Sequence, residues 1–176
     1  MKLNNLKKLL FVFILTLASL SASAQSYKGF VEAGYGLSFG DNSEDLMTIS
    51  TTHGLQLNPK FFVGAGVAFE YGKDSKKNAV PFFLDGRFNL FNKPITPFVD
   101  LKFGYSFFQS AGYFINPTIG YRIGLGNKSA LNVGVGYTHQ HNTDEYYPLD
   151  GDYDTYYQPH FVIFTNNICL KIGYEF

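Results

Sequence analysis

From Tyr27 to the end of the chain, apolar and polar positions alternate with a period of two. That period sends successive side chains to opposite faces of an extended backbone, so each run predicts a strand with one apolar and one polar face. The first run sets Val31, Ala33, Tyr35, Leu37 and Phe39 against Lys28, Glu32, Gly34, Gly36 and Ser38. The second, residues 46–57, is the weakest, with Met47, Ile49, Leu55 and Leu57 on its apolar face. The third sets Phe61, Val63, Ala65, Val67, Phe69 and Tyr71 against Gly64, Gly66, Ala68 and Glu70. In the fourth, Val80, Phe82, Leu84, Phe88 and Leu90 oppose Asp85, Arg87 and Asn89. The fifth places Val99, Leu101, Phe103, Tyr105 and Phe107 opposite Asp100, Lys102, Gly104 and Ser106. Tyr113, Ile115, Ile119, Tyr121 and Ile123 face away from Asn116, Thr118, Gly120 and Arg122 in the sixth. Leu131, Val133, Val135, Tyr137 and His139 do so from Asn132, Gly134, Gly136, Thr138 and Gln140 in the seventh. The eighth closes the chain with Ile168, Leu170, Ile172, Tyr174 and Phe176 against Cys169, Lys171, Gly173 and Glu175.

Three breaks between these runs are short turns: Asn58-Pro59-Lys60, Asn92-Lys93-Pro94 and Gly126-Asn127-Lys128. They alternate with longer polar segments, of which residues 141–158 are the longest. Strands of about ten residues are long enough to cross a bilayer at a tilt. The expected fold is therefore all-β: a closed eight-stranded antiparallel up-and-down transmembrane β-barrel. A soluble barrel shares the alternation but hides its apolar face. Here the strand charges fall almost wholly on the face that carries the glycines, and Tyr and Phe stand near strand ends on the other, where interfacial girdles belong.

If the charged face points inward, five positive residues (Lys28, Arg87, Lys102, Arg122, Lys171) meet five negative ones (Glu32, Glu70, Asp85, Asp100, Glu175). An eight-stranded lumen holds side chains and little else. Unpaired charges there would be costly, so an ion-pair network and a plugged, charge-balanced interior are expected. Each short turn carries one lysine, Lys60, Lys93 or Lys128, whereas the loops hold nine acids against three bases. In bacterial barrels short turns face the periplasm and longer loops face out.

Composition adds little that the pattern lacks. Overall charge is balanced at 14 basic against 14 acidic residues, which gives no footprint for nucleic acid. The single cysteine, Cys169, excludes an internal disulfide and a cysteine-based zinc site. The start of the chain does change the picture. Lys2, Lys7 and Lys8 precede an almost wholly apolar run over residues 9–20, followed by Ala22-Ser23-Ala24. This is the layout of a secretory signal peptide, with cleavage expected before Gln25. Residues 1–24 are thus read as the signal and residues 25–176 as the barrel domain, exported to the cell outer membrane of a Gram-negative bacterium.

A family resemblance rests on these features together with the last strand. It ends in Phe176, with apolar residues at alternate positions before it, including Ile172 and Tyr174. The stretches Asn58-Pro59-Lys60-Phe61-Phe62-Val63-Gly64-Ala65-Gly66 and Phe114-Ile115-Asn116-Pro117-Thr118-Ile119-Gly120-Tyr121-Arg122 resemble small outer-membrane β-barrel proteins common in Bacteroidota. The architecture is similar to the OmpA transmembrane domain and OmpX. The resemblance implies that Ile172, Tyr174 and Phe176 form the signal read by the outer-membrane assembly machinery. It also implies contact with outer-membrane lipid and lipopolysaccharide, no cofactor, and many relatives without an assigned activity.

Three constellations bear on function. The longest loop joins Asp144, Glu145, Asp150, Asp152 and Asp154 with Tyr146, Tyr147, Tyr153, Tyr156 and Tyr157. Rigid amphipathic rings beside carboxylates suit recognition, so this loop is the expected extracellular recognition surface, its ligand unnamed. Asp150, Asp152 and Asp154 have the spacing that opens a calcium loop. Thr155 and Phe161 stand where its glycine and bidentate glutamate belong, which makes a weak cation candidate rather than a metal site. His139-Gln140-His141-Asn142 resembles in placement a stretch of the outer-membrane lipid A deacylases, but His141 replaces the nucleophilic serine. No catalytic residue is therefore assigned. The expected function is non-enzymatic, structural or surface recognition, by a monomer. A narrow porin-like channel and a lipid-modifying enzyme are the alternatives.

Overall fold

The computed structural model describes residues 26–39, 45–73, 76, 78–108, 112–145 and 160–176, with side chains at all of these except 108, 142–145 and 160–165. The expected signal peptide and most of the expected recognition loop lie outside the described residues. Eight strands follow one another: β1 (Ser26–Ser38), β2 (Leu46–Gln56), β3 (Phe61–Gly72), β4 (Asn78–Asn89), β5 (Ile95–Phe108), β6 (Gly112–Gly126), β7 (Ser129–Glu145) and β8 (His160–Glu175). Each pairs antiparallel with its chain neighbours, and β8 pairs with β1 to close the barrel.

The two faces have the polarity the alternation predicts. Leu84 and Ile119 on the outside are 67% and 66% exposed, whereas Arg87 and Glu175 inside are 2% and 1% exposed. This is a soluble protein turned inside out, and only a hydrocarbon solvent suits such an exterior. Closure matters for the same reason: a barrel leaves no strand edge unpaired where no water can satisfy it. Aromatic contacts gather toward both rims. Tyr105 meets Phe107 and Tyr113 at ring separations of 4.9 and 5.0 Å near the loop end. Near the short-turn end Tyr27 stacks on His53, His53 meets Phe176 edge-on, and Phe176 stacks on Tyr174.

Local chemistry sets the short turns. The Asn58 side-chain oxygen accepts the amide protons of Lys60 and Phe61, both at 2.9 Å, in a side-chain-capped turn. Between β6 and β7, Asn127 and Lys128 have φ of 48° and 66°, so the pair forms the mirror-image turn whose twist matches the flanking strands. Gly126, at φ 88°, and a register slip between Gly124 and Gly126 place a bulge just before it. The length of the last segment, residues 158–176, leaves two alternatives, extension above the membrane or a bulge near Asn166-Asn167. The bulge is absent there, Thr138 facing Asn167 and His139 facing Asn166, and the segment instead extends as a regular ladder up to Glu145 and His160.

The seam between β8 and β1 is tied at its end by Gly29 and Phe176, which exchange backbone hydrogen bonds of 2.9 and 3.0 Å. The Phe176 ring occupies the space that a Cβ on Gly29 would need. Only glycine at that position lets the terminal ring lie across β1 toward His53.

Candidate functional site

The chemistry of the described residues is concentrated inside the barrel, where the strand pleat aims alternate side chains at one another across the lumen. The charges divide into three levels. The middle one is built around Arg87 of β4. Its Nη2 donates to Glu32 Oε1 at 2.9 Å and its Nε to Asp100 Oδ2 at 2.9 Å. Lys102 of β5 also donates to Glu32. Asp100 is the direct cross-strand neighbour of Arg87, but Glu32 belongs to β1, three strands away around the wall. The Glu32 pairs with Arg87 and Lys102 therefore span the lumen. Phenylalanine rings flank this level: Phe30 and Phe98 lie 4.2 and 4.5 Å from the guanidinium, and Phe83 lies 5.2 Å from the Lys102 ammonium. Such rings favour a cation over their faces and exclude water around it.

Toward the short-turn end, Arg122 binds Glu175 through two parallel hydrogen bonds of 2.7 and 2.8 Å, and Lys28 donates to the same carboxylate. Bidentate geometry of this kind is among the strongest a carboxylate can make. Toward the loop end the bonding is mostly neutral. Lys171 donates to Asn116 and, at 3.0 Å, to Thr118, while the Cys169 thiol sits 3.2 Å from the Thr138 hydroxyl. A cavity of about 40 Å³ lies among these groups, with Glu70, Phe83 and Phe114 on its wall. That is room for one or two waters.

Seven of the ten interior charges therefore join in ion pairs: Lys28, Glu32, Arg87, Asp100, Lys102, Arg122 and Glu175. The expected network of ten is corrected in three places. Asp85 is buried with neither carboxylate oxygen hydrogen-bonded, although Lys102 stands opposite it on β5, because that ammonium turns to Glu32 instead. Glu70 enters no ion pair among the described residues and faces the cavity. Lys171 is satisfied by an amide and a hydroxyl.

Sequence reasoning missed the inward phenylalanines Phe30, Phe62, Phe83, Phe98 and Phe114, all buried. Parity could have found them, since each stands on the same alternation as the charges. In β3 and β4 the doublets Phe61-Phe62 and Phe82-Phe83 put a ring on both faces and hide the inner one.

The other expected residues fall at the loop end. Asp144 and Glu145 were expected in the loop, but their backbone belongs to β7, paired with Phe161 and His160. Tyr146, Tyr147, Asp150, Asp152, Tyr153, Asp154, Tyr156 and Tyr157 lie outside the described residues. His139 Nδ1 is 2.8 Å from the Asn166 side-chain oxygen. His53, for which the sequence offered no partner, has two: the Tyr27 hydroxyl on Nδ1 and, at 3.0 Å, the Thr51 hydroxyl on Nε2. At the rim between β1 and β2, Asp45 accepts hydrogen bonds from the Tyr35 hydroxyl at 2.7 Å and the Ser38 amide at 3.2 Å. These donors hold its carboxyl below the ordinary aspartate value.

An inside-out, eight-stranded, closed antiparallel barrel with a charged interior defines the class: a transmembrane β-barrel. Neisserial surface protein A has this fold. It superposes with a TM-score of 0.64 at 10% sequence identity, over 87% of this chain and 98% of that one. The N-terminal barrel domain of Pseudomonas aeruginosa OprF (TM-score 0.48, 15% identity, 87% and 100% covered) and a designed transmembrane barrel (0.47, 14%, 85% and 94%) also match. At these identities the likeness is one of fold alone. No family model and no curated protein matches the chain.

Proposed function

We propose that the protein is a non-enzymatic barrel of the bacterial outer membrane, with a lumen closed to ions and loops displayed at the cell surface. The observation that carries this reading is the middle charge level, where Arg87 and Lys102 on one wall are bonded to Glu32 on the other. Charged groups locked to one another across a side-chain-wide lumen, with aromatic rings packed against them, offer no continuous water path to an ion. In this reading the barrel is a rigid anchor and its activity belongs to what it holds above the membrane.

The lysine-bearing short turns face the periplasm, and the acidic loops face outward. Export through the N-terminal signal and assembly through Ile172, Tyr174 and Phe176 bring the chain there. The Bacteroidota barrels that the sequence resembles are the relatives this reading favours. The segment holding Asp150, Asp152, Asp154 and the tyrosines from Tyr146 to Tyr157 is the recognition surface, and the barrel acts as a monomer among outer-membrane lipid and lipopolysaccharide.

The test is the single-channel conductance of the mature chain refolded in a planar lipid bilayer. A folded but silent barrel is expected. Stable openings would overturn the closed lumen and make a narrow channel the better description.

A further inference from the structure

The short-turn end of the barrel carries charges that the interior network does not use. Each of its three turns presents one exposed lysine: Lys60 between β2 and β3, Lys93 between β4 and β5, and Lys128 between β6 and β7. One acidic side chain stands at this end among the described residues, Glu175, and it is buried and already held by Lys28 and Arg122. The rim is therefore basic, with no exposed acid among the described residues to neutralise it. The turns that carry the lysines are tied in place. The Asn58 side chain accepts the Lys60 amide, the Thr96 hydroxyl accepts the Phe91 amide at 3.0 Å, and the Ser129 hydroxyl donates to the Gly126 carbonyl at 2.8 Å.

Each lysine also stands at the margin of the lipid-facing wall. Phe61, next to Lys60, and Leu125, three residues before Lys128, are exposed and apolar. The Lys93 ammonium lies 6.0 Å from the centre of the exposed Phe91 ring. The wall meets hydrocarbon, so its margin meets headgroups. A lysine there can lay its methylene stem on the wall and leave its ammonium at the level of the phosphates. Turns of two to five residues raise little above the rim for a soluble partner to hold. Successive lysine turns are two strands apart, about 10 Å along the wall, so the charges are spread around a collar instead of closing on one point. That spacing suits a sheet of anions and not a single phosphate ion.

We propose that the short-turn collar is a docking surface for anionic phospholipid headgroups, with Lys60, Lys93 and Lys128 each taking a phosphate of the leaflet on that side. This rests on the membrane reading above and adds the lipid chemistry that the barrel selects. In the orientation proposed there, the leaflet is the periplasmic one, and the collar fixes the depth and direction of the barrel.

The test places the mature barrel in nanodiscs of equal phosphatidylglycerol and phosphatidylcholine and counts the lipids it retains in native mass spectrometry. Phosphatidylglycerol should be retained about fivefold over phosphatidylcholine, the gain that one lysine brings at an anionic surface. The excess should shrink in high salt. It should disappear when Lys60→Gln, Lys93→Gln and Lys128→Gln are combined, and survive Lys73→Gln with Lys76→Gln at the loop end. Heat-modifiable migration checks that both variants are folded. Equal retention of the two lipids by the native barrel, or an unchanged excess in the triple variant, would overturn the site. Loss of the excess in the loop-end variant would move it to the other rim and overturn the collar. Binding of soluble poly-glutamate that the triple variant loses, with no lipid excess, would make a soluble acidic partner the occupant and overturn the lipid. A separate readout isolates the orientation. Lys93→Cys should resist an impermeant maleimide on intact cells and react once the outer membrane is opened, Cys169 being buried. Labelling on intact cells would overturn the periplasmic assignment, and the lipid count would still decide the headgroup site.

Discussion

At the scale of single residues, Arg87 has the most to lose. It is almost fully buried, bonded to two carboxylates and enclosed by two rings. Arg87→Met keeps much of its length but strands Asp100 without its cation, and removing one partner of a buried pair costs about 3–5 kcal/mol. Urea unfolding in lipid vesicles should show a loss of that size. Adding Asp100→Asn should recover a large part of it, since the second change removes the orphaned charge. Two single losses that simply add would mean the two side chains are not coupled. Asp45 makes the opposite kind of contribution, small and set by pH. Its folded carboxyl titrates below the ordinary value, so its stabilising effect is present at neutral pH and above. The effect disappears as pH falls through that lowered value. The Ser38 amide resonance, followed by NMR, should therefore titrate with a midpoint below about 3.9, and Asp45→Asn should abolish the transition. A midpoint above that value would mean the rim hydrogen bonds do not hold the carboxylate.

At the scale of elements, the β7–β8 hairpin separates into a lower half that closes the wall and an upper half whose two strands, among the described residues, pair only with each other. Replacing residues 146–159 by a short turn should leave heat-modifiable migration intact, because every rung up to Glu145 and His160 is retained. A deletion that also took Asp144 and Glu145 would cut into the ladder itself. Loss of the folded band in the shorter deletion would show that the loop takes part in closing the barrel. The same hairpin shows where the alternation stops being informative. Below His139, β7 alternates apolar with small or polar residues, because one face meets lipid. Above it, His141, Asn142, Thr143 and Asp144 are polar in succession, so the period-two signal that a lipid-facing strand requires is lost, and sequence reading ended the strand there. The inner face was legible by parity for the charges. Which charge meets which was not, because Glu32 reaches Arg87 only through the stagger with which β8 closes on β1, a property of the whole ring.

At the scale of the whole molecule, the argument rests on which face of the wall meets which solvent, and a pair of outward substitutions can test it. Leu84 lies near the middle of β4 and Phe88 near its end, both projecting outward at 67% and 41% exposure. On a water-soluble barrel, Leu84→Arg and Phe88→Arg would both replace an exposed apolar side chain by a hydrated one, with little effect on stability. In a bilayer the cost follows depth. An arginine at the midplane costs about 2–4 kcal/mol and one near the interface about 0–1 kcal/mol, since the latter can extend its guanidinium to the headgroups. Unfolding of the two variants in phospholipid vesicles should therefore separate them by roughly 2 kcal/mol in the order of their depth. The same variants in a short-chain detergent micelle, whose surface yields more readily, should lie closer together. A depth-independent result in vesicles would mean that the apolar belt does not sit across the hydrocarbon, and the inside-out polarity of this barrel would then need another occupant against its outer wall.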